Sequence, residues 1–424
     1  MEYLEIQKRV CTEIEKMKEE IVQALQDLVR IPSVVGYEGK AQTLMEERYR
    51  SLGLNVISLL PDLKKVKDHP AFIDTGMAYE DRPNIIGLLS GDSASPSLIL
   101  NGHVDVVSPE PVQAWTQDPW AAEIEGDRMY GRGTGDMKAG LLANFFALKG
   151  ILKAGLRPKG TVMLQSVIDE EAGGGGGTLA CLMEGYTADG MICTEPHNLN
   201  ITIAHAGVNY FRVKVLGKTS HAGLAHLGVN AIGKMYLIYQ ALVDLDEKRG
   251  REVRFPLFEK GSGRSCHINM GTMKAGDWPS NVAGNAEMEC RIGFIPGERM
   301  DEIKAMIENT VNDVAQKDPW LREHPPKVEW FGWHADPWYQ DPGHPFVQSF
   351  KKATEEVLGH EVEFIGRAGG IDSRFSQCFN MAAACTGPRA NNIHGIDEYV
   401  EISSVIQVTQ ILAMATLRWC GYEN

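Results

Sequence analysis

The feature that most constrains this chain is a change of hydrophobic period near Gly207. Before it, short apolar runs bounded by Gly, Pro and Ser, over residues 84–89, 97–107 and 161–168, alternate with segments whose apolar residues recur every three or four positions. The runs read as buried strands and the spaced segments as amphipathic helices. Helices are predicted over 3–28, where Ile14, Met17, Ile21, Leu25 and Leu28 form a stripe ended near Pro32, over 41–52, stopped at Gly53, and over 137–152. Strands alternating with helices imply an α/β sheet with helices on both faces. After Gly207 the stretch 208–216 alternates residue by residue, a helical stretch covers 229–246, strands fall near 266–273 and 286–295, a helix over 299–315 and a strand over 328–333. That β-α-β-β-α-β order is the ferredoxin-like split βαβ sandwich, an α+β domain complete in itself. An insertion into the α/β domain explains it most economically, with parts 1–206, 207–335 and 336–424.

Composition fits this division, since 424 residues normally split into roughly two or three domains. A formal charge of −14 repels phosphate backbones and anionic headgroups, so neither nucleic acid nor a membrane surface is an expected partner. The apolar runs fall well short of the roughly 18–20 residues that span a bilayer. Residues 2–20 lack the hydrophobic stretch of a secretory signal, which gives a cytoplasmic expectation. The eight cysteines contain no CxxC pair, as expected of reduced thiols. Any metal must then be held by His and carboxylates.

Five short segments could carry chemistry. His103 and Asp105 share one face at the end of a strand, a spacing that suits a metal ligand and its orienting carboxylate, although taken alone the pair reads more simply as a surface His beside an Asp. The glycine-rich segment 130–138 opens a helix and contains Asp136, but it matches neither GxxxxGK[ST] nor GxGxxG; it reads as a close-approach loop presenting a carboxylate or as a capped turn. Asp169, Glu170 and Glu171 crowd three acids at a strand end, which needs solvation or cations. Glu195 follows another strand, and His394 lies in a late loop. In an open α/β sheet, strand ends at 103, 136, 171 and 195 converge on the carboxyl edge, where such folds place their sites.

The order His-x-Asp, Gly-x-Gly-x-Gly-Asp-Met-Lys, Glu-Glu, Glu-Pro and a late His, over nearly the whole chain, resembles the M20 metallopeptidases: acetylornithine deacetylases, succinyl-diaminopimelate desuccinylases, aminoacylases and glutamate carboxypeptidases. The resemblance implies a zinc-peptidase-like α/β catalytic domain and an inserted lid and dimerisation domain. It implies two zinc ions per subunit, replaceable by cobalt or manganese, bridged by Asp136 and completed by His103 with Glu195 and by Glu171 with His394. Asp105 would orient His103, and Glu170 would be the general base for water attacking an amide carbonyl. Ser220-His221-Ala222-Gly223 matches the family's Ser-His-Ala motif, so His221 would stabilise the developing oxyanion, from the partner subunit in dimeric members.

For the substrate carboxylate the family uses an Asn and an Arg; here Asn281 is kept, but Gly293 stands where the arginine is expected, with Arg291 two residues earlier on the same face. Gly369-Gly370-Ile371-Asp372 matches a family loop, and Arg374 is a second possible anchor. The expected activity is removal of an acyl group from an N-acyl amino acid or related small amide by a homodimer. The alternatives are a dipeptidase or carboxypeptidase on the same site, and a non-catalytic binding or scaffold protein on a peptidase fold.

Overall fold

The computed structural model describes residues 2–424, which form two compact units. Among these residues the first comprises 2–203, 340–365 and 371–424, and the second comprises 204–339 with 366–370. The second is therefore inserted in the first, giving an α/β unit interrupted by an α+β unit.

The first unit is built on one sheet. Its strands include β1 (Asn55–Leu59), β2 (Asn84–Leu89), β3 (Leu98–His103), β4 (Val162–Val167), β5 (Gly190–Cys193), β6 (Ile201–His205) and, far along the chain, residues Ala382–Cys385. The sheet runs β1-β2-β4-β3-β5, then 382–385, then β6. The four strands β4, β3, β5 and 382–385 are mutually parallel, and they are flanked by antiparallel neighbours. Nearly every residue of β2 to β5 is buried, which is why these strands read as continuous apolar runs rather than alternations.

Helices α1 (Glu2–Lys16), α2 (Lys18–Val29), α3 (Gly39–Ser51) and α4 (Ala139–Lys153) precede the insertion. The single helix predicted over 3–28 is two, broken at Met17; nothing in the local sequence explains the break. Helix α4 is buried almost throughout and lies close on the sheet: a Cβ at Gly102 would meet the Cα of Leu141 at 3.3 Å. Among the described residues no helix is long and apolar enough to cross a membrane.

The inserted unit holds β7 (Gly207–Leu216), α5 (Ala231–Glu252), β8 (Ile268–Ala275), β9 (Asn285–Phe294), α6 (Met300–Lys317) and β10 (Lys327–Ala335). Their sheet order is β8-β9-β7-β10, all antiparallel, as in a split βαβ sandwich. One face of the sheet (Phe211, Val213, Val215, Met288, Ile292) packs on Met235, Ile238 and Leu242 of α5 and on Ile303, Ile307 and Val311 of α6. Strand β8 lies at the edge and is largely exposed.

Candidate metal centre

The parallel strands of the first unit point their carboxyl ends the same way. His103 is the last residue of β3, Glu170 and Glu171 follow β4, and Glu195 follows β5. Asp136 departs from the sequence expectation: it is not at a strand end of the large sheet but in the turn between a short strand, Arg128–Tyr130, and α4. His394 sits in the loop after residues 382–385, with a left-handed φ of 60°. Asp169 is left-handed as well, at φ 71°. Such backbone is costly for residues other than glycine and concentrates at functional sites.

His103 is buried, and its Nδ1 lies 2.8 Å from the backbone carbonyl of Asp105, the arrangement of an N–H donating to that oxygen. Its Nε2 then faces a cluster of acids. It lies 3.3 Å from Asp136 Oδ1, 3.7 Å from Glu195 Oε1 and 3.9 Å from Glu170 Oε2. On the other side, His394 Nε2 lies 3.2 Å from Asp136 Oδ2 and 3.0 Å from Glu171 Oε2. Two trios thus meet at Asp136, each of its oxygens facing one imidazole: His103, Asp136 and Glu195, and Asp136, Glu171 and His394, with ligand atoms in each trio within 4.8 Å of one another.

The electrostatics show what the cluster lacks. Burial pushes the Glu195 and Glu170 carboxyls well above the usual range, and neighbouring carboxylates add to this. Burial acts the same way on Asp136, but hydrogen bonds with His103 and His394 outweigh it and hold that group below the ordinary range. For His103 burial favours the neutral ring, yet the surrounding acids raise it well above its ordinary value. Hydrogen bonds with Asp136 and Glu171 raise His394 to about 10. Buried acids outnumber the imidazoles that neutralise them, and protons are taken up in compensation. A divalent cation meets the same deficit, and an all-N/O donor set with no cysteine suits one.

Asp105 differs from expectation in how it acts. Its carboxylate is 3.6 Å from His103 Nδ1, and the hydrogen bond belongs to its backbone carbonyl. The carboxylate instead accepts the backbone N–H groups of Glu170 (3.3 Å) and Glu171 (3.1 Å), two donors that would otherwise be unpaired at the site. The next acid in that turn, Asp169, is fully buried; it accepts the Tyr79 hydroxyl at 2.9 Å and lies 3.4 Å from Arg82, which also forks onto Glu38 with two 2.7 Å bonds. Sequence reading missed Glu38, Tyr79 and Arg82, because 44 residues separate Arg82 from Glu38 and no motif joins them.

Arg374 is buried too: its guanidinium donates to the carbonyls of Ile371 and Gly173 and lies 3.7 Å from Asp372. It braces the loop 371–376 against the glycine run, at odds with the expectation of a substrate anchor. In that run Gly174 has φ +69°, and a Cβ there would come within 2.1 Å of Asp372 Oδ1, so only glycine fits.

In the inserted unit His221 and Asn281 are both exposed and face each other across an antiparallel bridge. The His221 Nδ1 accepts the Gly223 N–H at 3.1 Å. Arg291 is half-buried, donates to the Ala368 carbonyl at 3.1 Å and contacts the His267 ring. That ring lies over Gly293, where a Cβ would meet His267 Cε1 at 3.0 Å. Gly370 packs under Trp333, whose ring a Cβ would reach at 2.3 Å, while Gly369 faces open space.

The model of "Peptidase family M20/M25/M40" matches residues 99–418. An N-formyl-4-amino-5-aminomethyl-2-methylpyrimidine deformylase from Halalkalibacterium halodurans is 28% identical over 444 residues, covering 98% of both chains. The Bacillus subtilis protein of the same name is 30% identical over 374 residues, 83% of this chain and 86% of that one. The crystal structure of human carnosine dipeptidase 1 shares the fold, with a TM-score of 0.75 at 17% identity over 98% of this chain and 99% of that one. The chain belongs to peptidase family M20/M25/M40 and is a hydrolase of amide C–N bonds.

Proposed function

We propose that this enzyme is a two-zinc deacylase of small amides, with an N-formylated amine as the preferred substrate class. The observation that carries the reading is the pair of three-residue groups sharing Asp136, with the Glu170 carboxylate beside them. His103, Asp136 and Glu195 would hold one ion, and Asp136, Glu171 and His394 the other; cobalt or manganese would be accepted by the same ligands. Bound there, such ions would supply Lewis acidity and ease the removal of a proton from water near neutral pH. Glu170 is the group placed to take that proton as water oxygen adds to the amide carbon, and to hand it to the nitrogen as the C–N bond breaks. Asp105 fixes the Glu170 backbone so that this carboxylate keeps its position. We assign His221 to the developing oxyanion and Asn281, its bridge partner, to the substrate.

The acyl amino acid expectation needs a guanidinium for a carboxylate. Arg374 is internal, and Arg291 is engaged with Ala368 while Gly293 and His267 stand at the usual arginine position. A substrate without a carboxylate suits this better, and the two relatives named above are deformylases of such an amine. We also assign Gly369 and Gly370 to substrate binding.

We further assign segment 207–335 as the lid and dimerisation part of the catalytic chain, inserted between parts 1–206 and 336–424. Support comes from the exposed edge strand β8 and from Ile232, Tyr236 and Leu237 on the outside of α5, which leave an apolar surface for a second copy. The eight free cysteines suit the reducing cytoplasm.

The test is hydrolysis of a panel comprising an N-formyl aminomethylpyrimidine, N-acetyl and N-succinyl amino acids, and dipeptides, with zinc, cobalt and manganese added separately. The reading predicts the formamide as best substrate. Dipeptide cleavage without formamide cleavage would replace it with the peptidase alternative.

A further inference from the structure

The turn that carries Asp136 is gripped by a residue with no place in the chemistry so far. Glu398 is fully buried, four residues beyond His394. One of its carboxylate oxygens accepts the backbone N–H of Gly135 at 2.9 Å and that of Asp136 itself at 3.1 Å. The other accepts the Gly133 N–H at 3.1 Å and the Arg132 guanidinium at 2.5 Å. Arg132 also donates to the Gly395 carbonyl at 2.9 Å, and the Gly131 N–H donates to the Glu398 carbonyl at 2.9 Å. So one buried acid satisfies three consecutive-turn amides on the Asp136 side, and its arginine partner ties the same turn to the peptide after His394. Contact is close here too: a Cβ on Gly135 would come within 2.4 Å of the Ala390 side chain.

We propose that Glu398 and Arg132 are positioning residues that lock the Asp136 turn to the His394 loop, setting the separation between the shared carboxylate and the second imidazole. Asp136 and His394 lie on segments more than 250 residues apart, and their Oδ2–Nε2 distance of 3.2 Å has to be fixed by something other than chain continuity. A neutral acceptor would not do as well. The carboxylate offers two oxygens to four donors, whereas an amide replaces one oxygen with an N–H₂ group that faces donors and cannot accept from them. A metal-site geometry depends on such outer partners nearly as much as on the ligands. The inference rests on the metal-centre reading, and the experiment separates the two.

The experiment is a cobalt titration of the metal-free full-length protein, followed by the visible d–d absorption and by the metal retained after desalting, for wild type, Glu398→Gln, Glu398→Asp and Arg132→Gln. Circular dichroism and thermal unfolding are recorded alongside, so that only folded protein is compared. The expected result is that Glu398→Gln weakens cobalt binding about 10- to 100-fold and alters the spectrum. Arg132→Gln should do so to a smaller degree, and Glu398→Asp, which keeps both oxygens, should recover part of the wild-type spectrum. A wild-type spectrum and affinity in Glu398→Gln, with or without a lowered melting temperature, overturns the proposal. If Glu398→Gln does not fold, Arg132→Gln decides by the same criterion. Wild-type protein that takes up no cobalt overturns the metal centre and this inference together; wild type that binds beside a variant that binds identically overturns this inference alone.

Discussion

Replacing Arg82 with methionine removes the only cation that the buried Glu38 and Asp169 carboxylates share among the described residues, while keeping most of the side-chain volume. The side chains are 4%, 0% and 0% exposed, and the nitrogen–oxygen contacts are 2.7 Å to Glu38 and 3.4 Å to Asp169. Removing one partner of a buried pair leaves an uncompensated charge and costs about 3–5 kcal/mol. The unit that contains all three has roughly 280 residues, so its unfolding entropy is about 0.6 kcal/mol/K and the expected fall in melting temperature is about 5–8 °C. Scanning calorimetry in the presence of chelator reads this without a contribution from bound metal. Adding Glu38→Gln to the same chain removes one stranded charge and should recover part of the loss. Turnover should fall as well, because Asp169 is itself the left-handed residue that precedes Glu170, and Arg82 helps hold its side chain in place. A shift below about 1 °C, or no recovery in the double variant, would show that these groups are not the mutually dependent network the distances describe.

Four further outcomes follow from particular contacts. Glu170→Gln should lower kcat by about 10²–10⁴-fold with metal content unchanged, and loss of metal instead would reassign that residue as a ligand. Asp105→Ala strands the Glu170 and Glu171 amides, so it should destabilise by about 1–3 kcal/mol in urea unfolding and lower kcat more than KM. Gly140→Ala places a Cβ 1.9 Å from the Thr194 carbonyl, next to Glu195, and should cost about 1–3 kcal/mol and weaken metal retention; wild-type values in both assays would mean that α4 moves freely there. Tyr236→Asp on the exposed face of α5 should shift light scattering from dimer toward monomer, and an unchanged mass would remove that helix from the interface.

Much of the architecture was legible because it is written in local pattern. The run 84–89 is β2 to the residue, and the alternation after Gly207 marks β7 with Phe211, Val213 and Val215 inward. Three of the candidate ligands stand out in the sequence because each has an unusual neighbour: glycines around Asp136, a second acid beside Glu171, proline after Glu195. What was not legible depends on contacts between distant segments. Glu398 reads as one more surface acid in a loop until the fold brings it under residues 133–136. Glu38 and Arg82 have no signature beyond their charge. Asp105 stood out as well, but its spacing from His103 suggested a carboxylate–imidazole bond, whereas its backbone carbonyl takes that place and its carboxylate accepts from the next turn. β1 has a mixed burial pattern, which gives neither period clearly.

We propose that Asp136 is shared between two metal ions. The most direct test is elemental analysis of wild-type and Asp136→Ala protein, each stripped, reconstituted with zinc and desalted. The account predicts two equivalents per chain for wild type and a loss of both in the variant; a wild type that retains none, or a variant that still retains two, contradicts it.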